Sequence, residues 1–369
     1  MNILMCGNSF GPKKGGSQTY AQEVASNLTA LGQTVVFLTR TQPGYEDFDA
    51  QLPFEVIRRR SKVDLGILFF KKLRAERYDA VFVTHRADFA ALANTASRLL
   101  DKPYFISVYG GEILHDFRAR SVKRNFAAAR AVVAISNYTK TLLTGLGVNE
   151  KKIHVIPCGT DPQRFRPDID GSEIRRKFGI EDRKVILSVS RLVERKGNAN
   201  VIAALPGIRE QIPNAHYLIV GTGPEKDNLQ ARVKELQLSD AVSFAGYVDE
   251  SELPSYYASC DVFVMPSFAA HQGENVEGFG IAYLEANSCG KPVIGGRTGG
   301  VPDAIAEHKT GLLVDPLDVG DIQKAVIEIL GNEEKARAMG LAGRKRVETE
   351  YNWRSISEKI LELLERFST

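Results

Sequence analysis

The stretch NILMCGNSFGPKKGGSQTYAQEVASNLTALGQTVVFL, residues 2–38, contains one complete change of period. Ile3 to Cys6 is a short apolar run of strand length, and a glycine-containing loop follows it. Ala21, Val24, Ala25, Leu28 and Leu31 then recur on one 3.6-residue face, Gly32 ends that pattern, and Val35 to Leu38 is apolar throughout. Strand, loop, helix, strand without alternation in either strand is a βαβ unit, whose strands are buried on both faces of a parallel sheet. The same unit repeats along the chain. Strands are predicted at Phe54–Ile57, Ala80–Val83, Tyr104–Val108, Val132–Ile135 and Ile153–Ile156, with helical patterns between most of them.

The pattern resets across Cys158–Pro167, a proline-rich stretch with neither period, read as a linker. A second series follows at Val185–Val189, Tyr217–Val220, Val242–Phe244, Val262–Met265, Pro292–Ile294 and Leu312–Val314. The expectation is an α/β chain of two parallel-sheet domains, residues 1–168 and 169–351, facing across a cleft. Residues 352–369, with Ile356, Ile360, Leu363 and Leu364 at helical spacing, form an amphipathic helix that must cover a surface.

With 369 residues, 43% hydrophobic and 25% charged, the chain has apolar material for two cores and is not a disordered or disulfide-built scaffold. The net charge of +3 gives no reason to expect a nucleic-acid partner, but it is unevenly placed: residues 1–168 carry +9 and the remainder −6. A basic first half suits an anionic ligand or membrane surface. Cys6, Cys158, Cys260 and Cys289 have neither paired nor metal-ligand spacing and read as reduced, buried thiols of a cytoplasmic protein. No apolar stretch approaches 18 residues.

Three segments carry chemistry. In Glu277–Ala286, a glycine-rich turn through Gly278, Phe279 and Gly280 opens a helix, with Glu277 before the turn and Glu285 just over one turn into it. The free first-turn amides suit an anion, and the two carboxylates suit sugar and ribose hydroxyls. After the strand at 185–189, Arg191 and Lys196 sit on a loop where cations can clamp a diphosphate and steady charge growing on it. Near the start, Gly15 and Gly16 let backbone approach an anionic group closely.

These segments resemble those of the retaining family 4 glycosyltransferases. Glu277 to Glu285 is similar to that family's E-x7-E motif, in the form EGFGIAYLEA followed by GKPV at 290–293. Ser188–Gly197, Gly15–Gly16, ISNYTKTLL at 135–143 and TGGVPDAI at 298–305 match in the same order, so the similarity spans nearly the whole chain. Within the family, the loop from Gly273 to Gly280 is most similar to phosphatidylinositol-mannoside-type mannosyltransferases.

The resemblance implies the GT-B fold, two Rossmann-like domains with the C-terminal helix 352–369 packing back on the first, and metal-independent transfer of a hexose, with retention, from a nucleotide-diphosphate sugar, GDP-mannose ahead of a UDP-sugar. No protein nucleophile or separate cofactor is implied, since the leaving phosphate takes the acceptor's proton. Arg191 and Lys196 would bind the diphosphate, Gly15 and Gly16 would approach it from the other domain, and Glu285 would hold the ribose. Glu277, Gly278 and the amides of Phe279 and Gly280 would hold the sugar, with base contacts near Val248. Tyr109 stands where the family has a histidine, so no imidazole role is expected at that position; the acceptor or sugar side is assigned to Tyr109, Gly110 and Glu112, and to His271 in the loop before Glu277.

The expected acceptor is a lipid, a lipid-linked sugar or a saccharide, the basic first domain favouring the first two. The rivals are a GT-B nucleotide-sugar epimerase and a non-catalytic nucleotide-sugar-binding protein. The run Arg58–Lys62 with Leu65 to Arg74 reads as a basic amphipathic element suited to peripheral contact with an anionic membrane, extended by Arg118, Arg120, Lys123 and Arg124. The tripeptides Asp47–Asp49 and Asp168–Asp170 lie in polar loops and are not expected to hold a metal. His85, His115, His154, His216 and His308 have no site spacing.

Overall fold

The computed structural model describes the chain except for Ser9, Lys13, Lys14, His85, Arg86, residues 112–119, residues 271–275 and Thr369. Two compact units result, Met1–Cys158 with Trp353–Thr369, and Gly159–Asn352.

The first unit holds a seven-stranded sheet in the order β3-β2-β1-β4-β5-β6-β7, every pairing parallel. Its strands are β1 (Asn2–Cys6), β2 (Thr34–Arg40), β3 (Glu55–Arg59), β4 (Ala80–Thr84), β5 (Tyr104–Val108), β6 (Ala131–Ala134) and β7 (Ile153–Val155). β4 and β5 are buried at every residue, as strands covered on both faces must be. Helix α1 (Gly16–Ala30) buries Tyr20, Ala21, Val24, Ala25 and Leu28. Leu31 lies just past the helix and is only half-buried. The C-terminal helix Trp353–Ser368 packs against α1 through Trp353, Ile356, Ile360, Leu363 and Leu364, and the Trp353 ring meets Tyr20 edge-on at 5.9 Å.

The second unit holds six parallel strands in the order β10-β9-β8-β11-β12-β13. They are β8 (Lys184–Val189), β9 (Ala215–Val220), β10 (Val242–Gly246), β11 (Val262–Met265), β12 (Val293–Gly296) and β13 (Gly311–Val314).

The unit boundary falls ten residues earlier than the expected 168, and the supposed linker is folded. Phe165 is buried, and Ser288 Oγ donates to its carbonyl at 2.7 Å. Arg344 Nη1 donates to the carbonyls of Pro162, Phe165 and Ser288 at 2.9, 2.7 and 3.0 Å. One guanidinium thus supplies partners that an irregular segment cannot supply to itself. Arg344→Ala should destabilise the second unit by about 3 kcal/mol, seen as a melting temperature lowered by about 6–12 °C. A shift under about 2 °C would show that Arg344 does not hold this segment.

A second expectation needs correction at Arg58, which is not a surface cation. Its guanidinium is buried, pairs with both Asp49 oxygens at 2.7 and 2.8 Å, and donates to the carbonyls of Gly11 and Arg40. Asp49 is therefore an ion-pair partner, and Asp170 caps Ser172 through both its N–H and its hydroxyl at 2.8 Å. Arg118 and the Arg120 side chain lie outside the described residues.

Candidate active site

In each sheet the strand order reverses once, between β1 and β4 in the first unit and between β8 and β11 in the second. Connections leaving the two strands at such a point diverge to opposite faces and open a crevice at the strands' carboxyl ends, where ligands of open α/β sheets bind. The loop following β1 leads to Gly15 and Gly16, and the loops following β8 and β11 lead to Arg191–Lys196 and to Glu277.

Backbone contacts lock the two loops of the second unit together. Gly197 has φ 73°, and a Cβ there would stand 2.2 Å from the Pro266 carbonyl oxygen, so no other residue fits without moving the chain. Phe268 N–H donates to the Arg195 carbonyl at 2.9 Å, and Thr298 Oγ1 donates to the Ser267 carbonyl at 2.7 Å. The Glu277 carbonyl in turn accepts from Gly300 N–H at 2.9 Å. Gly280, φ 97°, turns the chain into the helix Ile281–Ser288, and a Cβ there would meet the Tyr283 ring at 2.5 Å.

On this frame three charges converge. Lys196 Nζ and Arg195 Nη1 both donate to Glu277 Oε2, the arginine at 3.0 Å. The side chains are 12%, 27% and 13% exposed respectively, so the cluster is largely withdrawn from water but not sealed. Burial alone would push the Glu277 carboxyl up, yet the two cations hold it below the usual carboxylate range. Burial pulls the Lys196 ammonium down, against the raising pull of Glu277. The arrangement offers a carboxylate fixed by one oxygen and a cation able to exchange it for another anion.

Glu285 is in a different situation. It is half-buried, and Tyr257 OH donates to its Oε2 at 2.6 Å. Burial pushes this carboxyl up, against the Tyr257 hydrogen bond and the Arg164 charge. Phe279 is buried with its ring stacked on Tyr351 at 6.1 Å, and Gly278 is half-buried. Val248 is buried beside the exposed Tyr247.

Arg191 stands apart from the cluster, exposed, its guanidinium without a partner among the described residues. In the first unit Gly15 and Gly16 are exposed at the start of α1. Tyr109 follows β5, its ring edge-on to Tyr20 at 5.2 Å and its hydroxyl accepting from Ser107 Oγ at 3.3 Å, and Gly110 comes next with φ 101°. Glu112 and His271, with His85 and His115, lie outside the described residues. Among the described residues no three His, Cys, Asp or Glu side chains stand close enough to hold a metal. All four cysteines are buried and outside any disulfide.

Sequence reasoning passed over Arg195 and Tyr257. Arg195 adjoins Lys196 and was legible as a further cation in the loop. Tyr257 carries no local signal, because only packing places its hydroxyl on a residue 28 positions away.

Comparison with known proteins adds independent findings. The family model for glycosyl transferases group 1 matches residues 170–346, and that for Glycosyltransferase Family 4 matches residues 14–164. The chain is 33% identical to a GDP-mannose-dependent alpha-(1-6)-phosphatidylinositol monomannoside mannosyltransferase of Mycolicibacterium smegmatis, over 98% of each chain. It is 31% identical to the GDP-mannose-dependent monoacylated alpha-(1-6)-phosphatidylinositol monomannoside mannosyltransferase of Corynebacterium glutamicum, over 98% of this chain and 97% of the other. Among solved structures, Anabaena HepE in complex with UDP superposes with a TM-score of 0.83 at 21% identity, covering 99% of this chain and 100% of the other. A sucrose-phosphate synthase from Thermosynechococcus elongatus gives 0.78 at 24%, over 99% and 98%. Two Rossmann-like parallel-sheet units, both family models in chain order and full-length relatives above 30% identity lead to one conclusion: the chain belongs to glycosyltransferase family 4, with the GT-B fold.

Proposed function

We propose that this protein transfers mannose from GDP-mannose to a phosphatidylinositol-mannoside-like lipid, with retention and without a metal. The observation that carries the reading is the Lys196–Glu277–Arg195 cluster at the β8/β11 reversal, a site whose buried cation can exchange a carboxylate for a diphosphate. The choice of donor and acceptor is supported by the activities named for the mycobacterial and corynebacterial relatives.

Lys196 and Arg191 bind the diphosphate. Glu277, seated by Gly278 and the amides of Phe279 and Gly280, accepts from sugar hydroxyls, and Glu285 accepts from the ribose. The base lies near Val248. The sugar C1–O bond to the diphosphate breaks while the acceptor oxygen bonds C1 on the same face, and the acceptor's proton passes to a phosphate oxygen. The cations stabilise the negative charge that grows on the diphosphate. Tyr109, Gly110, Glu112 and His271 belong to the acceptor side, where Tyr109 offers a phenol and no imidazole.

A thermal-shift panel of GDP, UDP, ADP and their sugar conjugates, with and without EDTA, tests the donor site. GDP and GDP-mannose should stabilise regardless of EDTA, by about 2.7 kcal/mol at 100 times Kd, and the shift should vanish in Arg191→Ala and Lys196→Ala. Absence of response to every nucleotide would overturn the reading. The anomeric configuration of the product, read by NMR, tests retention. Conversion of the donor without any acceptor would mark an epimerase instead.

The lipid acceptor requires a membrane approach. No helix among the described residues is long and apolar enough to cross a membrane. Helix α2 (Tyr45–Asp49) is followed by α3 (Lys62–Ala75), which exposes Val63 at 69% and Ile67 at 64% beside Lys62, Lys71 and Arg74. Apolar side chains flanked by cations suit the boundary of an anionic bilayer, each cation contributing about 1 kcal/mol near the surface. Sedimentation with liposomes should therefore require anionic lipid, weaken with salt and fall in Ile67→Asp. Sedimentation indifferent to lipid charge would remove this element of the proposal.

A further inference from the structure

We propose that Tyr257 is the positioning residue for Glu285, and through it sets a preference of the donor site for ribonucleotides over deoxyribonucleotides. The inference rests on the reading of Glu285 as the ribose contact.

Tyr257 lies in the helix Leu253–Ser259 and is fully buried. Its ring is flanked by Phe165 at 5.6 Å and Phe263 at 5.7 Å, so the phenol has no room to swing. The hydroxyl donates to Glu285 Oε2 at 2.6 Å. A hydrogen bond of that length between a phenol and a carboxylate is short and charge-assisted. It fixes one oxygen of Glu285 and hence the plane of the carboxylate. Among the described residues Oε1 has no donor, although an ionised carboxylate has about four acceptor positions. Burial opposes its ionisation, and the other charges acting on it, Arg164 and Glu250, pull in opposite directions. Arg164 is itself engaged with Glu250, 3.5 Å from its carboxylate.

The result is a half-buried carboxylate with one oxygen anchored by protein and the other still needing donors. A vicinal diol supplies two hydroxyl donors on adjacent carbons, which a deoxyribose does not. Without the Tyr257 hydroxyl, Glu285 loses its one fixed donor, so it turns more freely and resists ionisation further. The diol contact should then weaken while the diphosphate clamp, carried by other residues, remains.

Tyr257→Phe deletes only the hydroxyl and keeps the ring packing. Dissociation constants for GDP and 2′,3′-dideoxy-GDP, measured by calorimetry on wild type, Tyr257→Phe and Glu285→Gln, separate the outcomes. Wild type should favour the ribose form by on the order of 10-fold, from hydrogen bonds to a charged acceptor. Tyr257→Phe should weaken GDP about 5–10-fold and leave the dideoxy form nearly unchanged, so the ratio collapses toward that of Glu285→Gln. A melting temperature that falls while the ratio stays at the wild-type value would show a purely structural phenol and overturn the inference. Equal binding of both nucleotides by wild type would instead remove Glu285 from the ribose, and no nucleotide binding at all would overturn the donor-site reading with it.

Discussion

Lys196→Ala is expected to lower kcat/KM for the nucleotide sugar by about 10²–10³, the usual cost of removing one preorganised group that meets charge developing in the transition state. The effect should be large because Lys196 is the most deeply placed cation of the cluster, 12% exposed, where water screens its field least. Its ammonium is held by Glu277 Oε2, and Arg195 also binds that oxygen. Removing the lysine therefore leaves the carboxylate paired, and the fold should survive. Steady-state kinetics alongside a melting curve check this. A loss below about 3-fold with an intact fold would take Lys196 out of the diphosphate clamp. A collapse of the melting temperature would mean that the pair Lys196–Glu277 mainly holds the two loops together.

Glu277→Gln should separate binding from transfer. The carboxylate now competes with any diphosphate for Lys196, so neutralising it should leave nucleoside diphosphate affinity equal to or tighter than wild type. Transfer should nonetheless fall by on the order of 10² or more, because the sugar loses the charged acceptor that orients it. Weaker diphosphate binding, or transfer at the wild-type rate, would contradict this division of labour.

The same variant has a defined stability profile. Glu277 titrates below the ordinary glutamate range in the folded chain. Its ionised form therefore contributes stability that is fully present above the unfolded value of about 4.3 and is lost as pH falls through the lower folded value. Glu277→Gln should accordingly be less stable than wild type at neutral pH, with the gap closing below about pH 4. A gap that persists unchanged into acid would show that the ion pair is not its source.

The strands were legible because strands buried on both faces are short apolar runs with turn residues at their ends, and β1, β4, β5 and β11 all have that form. Gly280 was legible as part of a glycine-rich turn opening a helix, whereas the need for glycine at Gly197, φ 73° against the Pro266 carbonyl, came only with the fold. Arg58 shows the limit of such reading. In sequence it is the first of three arginines before a helix; in the fold Asp49 and the carbonyls of Gly11 and Arg40 surround it. A run of cations carries no mark of which member finds buried acceptors. Phe165 likewise sits in a stretch without period, and becomes core because Arg344 and Ser288 come from far along the chain to bind its carbonyl.

By itself the sequence determined the βα alternation and the two-domain class, and it singled out Lys196, Glu277 and Glu285 as candidates, since periodicity, backbone restriction and residue chemistry are local properties. The tertiary structure alone decided the strand order, and with it where each sheet reverses. It also decided that Lys196 and Glu277, 81 residues apart, share one carboxylate oxygen with Arg195, while Arg191 stands free of them among the described residues, and that Tyr257 meets Glu285. Those pairings depend on which buried groups the packed chain brings within hydrogen-bond distance, and no local pattern records a distance between residues that meet only when the sheet has formed.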